Sequence, residues 1–215
     1  TIRARFPGII YASGSGSGPN GPEGEKGGYD AISYWARGSI SGTMTEDGAT
    51  RPVGPPGPAF GDTASGAMLS GAICAALVKR LRAGEGSVVD VSLLETAAGW
   101  MTMYAAQYLA GGELPKKNGS GQVGIVPYRA YRTADGDLVV AAGNDALFRR
   151  LCQVIEQPAL ADDLRFAGNP QRVRHADELY AVLEARFATR GNADWMARLE
   201  AAGVPCAPVQ SIDAM

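Results

Sequence analysis

The stretch Ala59-Phe60-Gly61-Asp62-Thr63-Ala64-Ser65-Gly66 leads straight into a long apolar segment, Met68 to Leu81, and no other feature constrains the chain as much. Between Ala67 and Val78 apolar or small residues occupy every helical face, which predicts a helix packed on all sides inside the protein. Lys79, Arg80 and Arg82 follow, then Gly84 and Gly86, the cationic last turn and left-handed-tolerant residues that end a helix. Asp62 stands at its start. An acid there has two readings. It can cap the helix by accepting bonds from free N–H groups. It can also serve as a nucleophile, kept ionised by those N–H groups, with Gly61, Ala64 and Gly66 leaving room for a substrate carbonyl.

The 215 residues are enough to bury a real core in one large domain or two small ones. With 20 basic and 22 acidic side chains and a net charge of -2, the chain lacks the basic surface that nucleic acid requires. Cys74, Cys152 and Cys206 show no disulfide or metal-ligand spacing, and are expected to be reduced core thiols of a cytoplasmic protein. A metal site is not expected. The single histidine, His175, lies in a polar stretch and is expected to be a solvated helix residue. No apolar run is read as approaching the roughly 20 residues of a membrane span, and no membrane partner is expected.

Gly8 to Ser13 reads as a short buried strand, followed by a glycine-rich loop from Gly14 to Gly28. Prolines stand where a dinucleotide fingerprint would open its helix, so that motif fails and a flexible loop beside a ligand remains. Tyr29 to Gly38 predicts a short helix with Ile32 and Trp35 one turn apart. A surface loop rich in Gly and Pro then runs to Gly61. Ser87 to Val91 predicts a strand, and Ser92-Leu93-Leu94-Glu95 is a capping box opening a helix to about Ala110. Strand and helix in alternation make residues 1–112 part of an α/β domain with a Rossmann-like parallel sheet. Residues 113–122 read as a linker or glycine-rich loop, and 123–215 as a small α+β domain. That domain holds a hairpin turning at Asp135-Gly136, helices at 146–155, 176–188 and 193–202, and an extended segment from Gly203 to Val209. The abrupt beginning and the stop at Met215 are expected of a chain cut from a longer one. Trp35, Met44, Trp100 and Met103 suit a substrate pocket and a core equally well.

Ile10-Tyr11-Ala12-Ser13 with its glycine-rich loop, Gly28-Tyr29-Asp30, Gly61-Asp62 before the apolar helix, and Arg82-Ala83-Gly84-Glu85-Gly86 leading to Ser92 together resemble the family III CoA-transferases. Pro127-Tyr128, Thr133 to Gly136, Arg165-Phe166, Arg172 and Ala202 to Pro205 continue the likeness in the same order. That superfamily includes formyl-CoA and crotonobetainyl-CoA transferases and the 2-methylacyl-CoA racemases. The resemblance implies that Asp62 attacks an acyl-CoA thioester to form a mixed anhydride, from which CoA passes to an acceptor carboxylic acid. It implies coenzyme A as substrate with no further cofactor, and an interlocked homodimer. It places Tyr29 and Gly61, with a loop at Gly119, Gly121 and Gln122, as substrate-binding residues; the plain linker reading of the loop stays open. Tyr29 occupies the position of the racemase histidine, and tyrosine is a poor proton shuttle at neutral pH. Transfer is therefore favoured over racemisation, with a non-catalytic fragment as the third reading.

Overall fold

The computed structural model describes residues 2–114 and 119–215, and Pro115 to Asn118 of the predicted linker lie outside them. It is a mixed α/β structure with one parallel and one antiparallel sheet. The chain divides into two compact units between Gly119 and Ser120, within the 113–122 stretch.

In the first unit the order is α1 (Ile2–Arg5), β1 (Ile10–Ser15), a π-helix (Asp30–Ala36), α2 (Ile40–Met44), α3 (Phe60–Ala83), β2 (Ser87–Ser92), α4 (Leu93–Trp100) and α5 (Thr102–Gly111). Strands β1 and β2 pair in parallel, Ile10 opposite Ser87 through Ser15 opposite Ser92, and α3 packs on both as it crosses between them. Gly86 allows the strands to start together, because a Cβ there would collide with the Ile9 carbonyl oxygen. Side chains of β1 are half-buried or exposed, so the strand is less covered than its apolar sequence predicts.

Helix α3 departs furthest from expectation. Its end is as read: Gly84 adopts a left-handed conformation, φ 72°, and its N–H donates to the Arg80 carbonyl at 2.8 Å. Its surroundings are not. Only Gly61, Ser65 and Ala76 are buried, while Met68 is 57% and Leu81 82% exposed. Within this unit β1, β2, the π-helix and α4 cover one side of it and the other side is open. Cys74 consequently lies exposed rather than in the core. The helix also corrects the reading that no segment reaches membrane-spanning size. By length and composition the 24-residue helix, with an 18-residue stretch of mean hydropathy 1.3, is enough to cross a bilayer.

The predicted Tyr29–Gly38 helix forms with a wider winding, the Arg37 N–H donating five residues back to the Ile32 carbonyl at 2.9 Å. That shift buries Ser33, Tyr34 and Trp35 and leaves Ile32 outside. The 38–61 loop is pinned at Val53, whose carbonyl accepts from Trp35 Nε1 at 2.9 Å and Ser41 Oγ at 2.7 Å. In the capping box the Glu95 N–H donates to Ser92 Oγ at 3.1 Å, and Ser92 Oγ donates to Glu95 Oε2 at 2.7 Å. The single helix expected beyond it breaks at Met101, where Thr102 Oγ1 donates to the Gly99 carbonyl at 2.6 Å. Trp100 and Met103 are exposed, as is Met44, and Trp35 is core.

The second unit comprises β3 (Tyr128–Arg132), β4 (Asp137–Ala141), α6 (Asp145–Val154), α7 (Asn169–Arg174), α8 (Ala176–Phe187), α9 (Asn192–Ala201) and β5 (Cys206–Pro208). The three strands form an antiparallel sheet in the order β3-β4-β5. Its core stacks Tyr131 on Phe187, ring centroids 4.7 Å apart, with Trp195 edge-on to Phe187 at 5.1 Å. Cys152 is buried in this core, and desolvation pushes its thiol up to about 12, against a smaller opposing effect of Arg172. His175 sits between α7 and α8, its Nδ1 2.9 Å from Glu178 Oε1.

Arg172, on the short helix that periodicity did not reveal, is fully buried. Nε donates to the Val126 carbonyl at 2.7 Å, Nη1 to the Phe166 carbonyl at 3.0 Å and Nη2 to Asp145 Oδ1 at 2.7 Å, above the Phe148 ring. One planar fork thus ties four separated segments. Replacing Arg172 by Met leaves two buried carbonyls without donors, and is expected to lower stability by about 3 kcal/mol. Chemical denaturation checks this, and a loss below about 1 kcal/mol contradicts it.

Candidate active site

The carbonyl ends of β1 and β2 and the first turns of α3 enclose a cleft of ≈ 300 Å³. Helix α3 supplies Asp62, Ser65 and Gly66, the end of β1 supplies Gly14 to Gly16, and Gly28 closes one wall. The Asp62 carboxylate is exposed on this cleft. Among the described residues it makes no hydrogen bond.

Something else caps the helix. Ala59, the residue before α3, is left-handed at φ 60° and has no side-chain acceptor. Asp30, brought alongside by the π-helix, accepts the Gly61 N–H through Oδ1 at 3.1 Å. An acid from another element therefore satisfies one of the free N–H groups of the first turn. Asp62, two residues into the helix, is released from the role that sequence alone offered it.

Close packing fixes its position. A Cβ on Gly61 would overlap the Tyr34 ring, so this glycine serves to seat α3 on the π-helix, and it is buried beneath the cleft. Burial, and next the Asp30 carboxylate, raise the Tyr34 pKa above the usual phenol value, so its hydroxyl stays protonated at neutral pH. On the opposite wall Gly16 and Gly28 touch backbone to backbone. A Cβ on Gly16 would lie 2.6 Å from the Gly28 Cα, and one on Gly28 would strike Ser33 Oγ. The Leu94 N–H donates to the Gly16 carbonyl at 3.0 Å. These two glycines, near the start and at the end of the 14–28 loop, form a packed wall.

The other predicted site residues distribute as follows. Tyr29 adjoins Gly28, but its side chain is 76% exposed and does not line the cleft. Gly119 belongs to the first unit, at φ 53° and crowded by Glu46. Gly121 and Gln122 belong to the second unit, where the Gln122 N–H donates to the Tyr128 carbonyl at 2.9 Å. No group of three His, Cys, Asp or Glu side chains that could hold a metal ion occurs among the described residues. Sequence reasoning passed over Asp30 as a cap, and passed over Ser65. The missing signal was Ala59, a helix entry without an acceptor of its own.

A parallel strand–helix–strand unit with a free carboxylate at the crossover helix's entry, followed by an antiparallel α+β unit, is the arrangement to compare with known proteins. The model of CoA-transferase family III matches residues 1–215, and the chain belongs to that family. It is 40% identical over 206 residues to the mouse succinyl-CoA:glutarate CoA-transferase, covering 96% of this chain and 47% of the relative. It is 35% identical over 215 residues to succinate–glutarate CoA-transferase of Agrobacterium fabrum, covering all of this chain and 53% of the relative. A CAIB/BAIF family protein from Brucella suis superposes with TM-score 0.77 at 34% identity, over 99% of this chain and 55% of that one. A hypothetical protein from Mycobacterium tuberculosis gives TM-score 0.84 at 30% identity, over 99% and 56%. The chain spans about half the length of the curated relatives it matches.

Replacing Asp30 by Ala removes the acceptor for Gly61, and is expected to cost about 1 kcal/mol of first-unit stability, with Asp30→Asn recovering most of it. Thermal melting reads the difference. Identical midpoints for Asp30→Ala and the unaltered protein would remove Asp30 from the capping role.

Proposed function

We propose that this chain carries the acyl-accepting centre of a CoA-transferase, which moves CoA from an acyl-CoA thioester to a carboxylic acid through covalent attachment at Asp62. The observation that carries the reading is the Asp62 carboxylate, open to a cleft and without a hydrogen-bond partner while Asp30 caps its helix. Family membership and the relatives' names support the reaction class.

The chemistry proceeds without redox change. A carboxylate oxygen of Asp62 bonds to the thioester carbonyl carbon, and the π electrons move onto the carbonyl oxygen. The intermediate collapses, the C–S bond breaks, and the sulfur leaves with the electron pair as CoA thiolate. The thiolate then attacks the Asp62 carbonyl of the mixed anhydride and releases the donor acid. The acceptor carboxylate repeats the steps in reverse order and leaves as its CoA thioester. A carboxylate is a weak nucleophile, so holding it against the thioester supplies much of the rate. The positive end of α3 favours the negative charge developing beside Asp62.

CoA enters as substrate and no further cofactor is proposed. The relatives named for succinyl-CoA with glutarate, and for acetyl-CoA with oxalate, make short dicarboxylates the first acceptors to try. A homodimer is proposed on the resemblance, supported by the uncovered apolar side chains of α3 and α5. A cytoplasmic location is proposed from three cysteines without a disulfide. Helix α3 is taken as a crossover rather than a membrane span, because β1, β2 and α4 pack on it.

In the protein at its natural length, Asp62→Ala and Asp62→Asn are expected to lower CoA exchange between succinyl-CoA and labelled dicarboxylates by about 10³-fold or more. Exchange left intact in either variant contradicts the proposal.

A further inference from the structure

Ser65 lies one helical turn beyond Asp62, in the same cleft wall. The residue is only 9% exposed, and its Oγ is buried with no hydrogen-bond partner among the described residues. Helical hydroxyls normally have an answer to this, by donating to a carbonyl one turn back. Ser70 in the same helix does so to Gly66 at 2.9 Å, Thr45 to Ser41 at 2.6 Å, and Thr96 to Ser92 at 2.8 Å. Ser65 does not. A buried hydroxyl left unpaired is destabilising, and each one calls for an explanation; Tyr131 and Tyr180 are also unpaired but lie in the second unit's core, whereas Ser65 lines the cleft. Residues three apart on a helix sit side by side, so a group bonded to Asp62 comes within the reach of Ser65.

We infer that Ser65 Oγ–H donates a hydrogen bond to the oxygen of the acyl group that Asp62 attacks, the carbonyl oxygen of the thioester as it takes on charge. The hydroxyl keeps its proton throughout. It is a neutral donor set beside the nucleophile, aimed at charge that exists only while the bond to Asp62 forms or breaks. Ser65 is thereby a catalytic residue in its own right. The assignment rests on the covalent reading of Asp62, and it adds a residue for which sequence pattern offers no signal, since a serine inside a small-residue helix reads as filler.

Ser65→Ala tests it, in the protein at its natural length with succinyl-CoA as donor. Acyl-enzyme is trapped with hydroxylamine at short times and the hydroxamate on the Asp62 peptide is quantified, alongside KM and the melting midpoint. The expected result is a rate of Asp62 acylation lowered by about 10²-fold, as for loss of one oxyanion donor. KM is expected to move little, and the midpoint to stay level or rise because an unpaired hydroxyl has gone. Acylation at the unaltered rate overturns the inference and leaves the Asp62 reading standing. A fall in midpoint with full activity per folded molecule overturns it as well, by making Ser65 structural. No hydroxamate on Asp62 in the unaltered protein removes the covalent reading, and Ser65's role with it.

Discussion

One hydrogen bond decides what Asp62 can be. The Gly61 N–H needs an acceptor, as do all the leading N–H groups of a helix, and a carboxylate is the best available. The Asp30 carboxylate takes that position from the π-helix. Asp62 is then left as a charge at the positive end of α3 with open space before it. Had Asp62 turned back to cap its own helix, its oxygens would be engaged and its approach to a thioester blocked. Free carboxylate and cap are separate residues here because Ala59, which leads into the helix, has no acceptor of its own.

The second constraint is backbone proximity. Tyr34 is held between Gly61 and Gly38, and a Cβ at either glycine would collide with it. Gly16 and Gly28 meet directly, and Gly86 lets β2 start against β1. Each contact brings a main chain closer to its neighbour, backbone or ring, than any other residue permits, and the cleft is the space left between them. The first unit thus gains a stiff frame from a small core, Tyr34, Trp35, Leu93 and Ala97, whereas the second relies on a larger aromatic core and on the buried Arg172 fork. The second unit repeats the capping device. Gly191 precedes α9 without a side chain, and Asp135 from the hairpin turn accepts the Asn192 N–H at 2.7 Å.

What the sequence disclosed depended on the range of the interaction. Period and local caps identified β2, the capping box at Ser92, the β3–β4 hairpin and the three longer helices of the second unit to within a residue or two. Asp62 stood out at the start of an apolar helix, but the residues alone left cap and nucleophile open, and only the family resemblance favoured the second. Tertiary effects were not. The π winding at Asp30–Ala36 accompanies burial of Ser33, Tyr34 and Trp35, and no local pattern demands it. Arg172 reads as a surface arginine until its three acceptors are in place. The apolar surround of α3 suggested burial on every side, yet composition cannot tell which neighbours cover a face, and within the first unit one face stays open. Ser65 and Asp30 matter through partners distant in sequence or absent, which no window of residues contains.

Running the reaction with an acceptor acid carrying heavy oxygen in its carboxylate addresses the central claim most directly, because each turnover through Asp62 must leave one labelled oxygen on the enzyme. Peptide mass spectrometry after turnover is predicted to find the label on the Asp62 carboxylate and on no other acid. Turnover that moves CoA while Asp62 stays unlabelled would contradict the account.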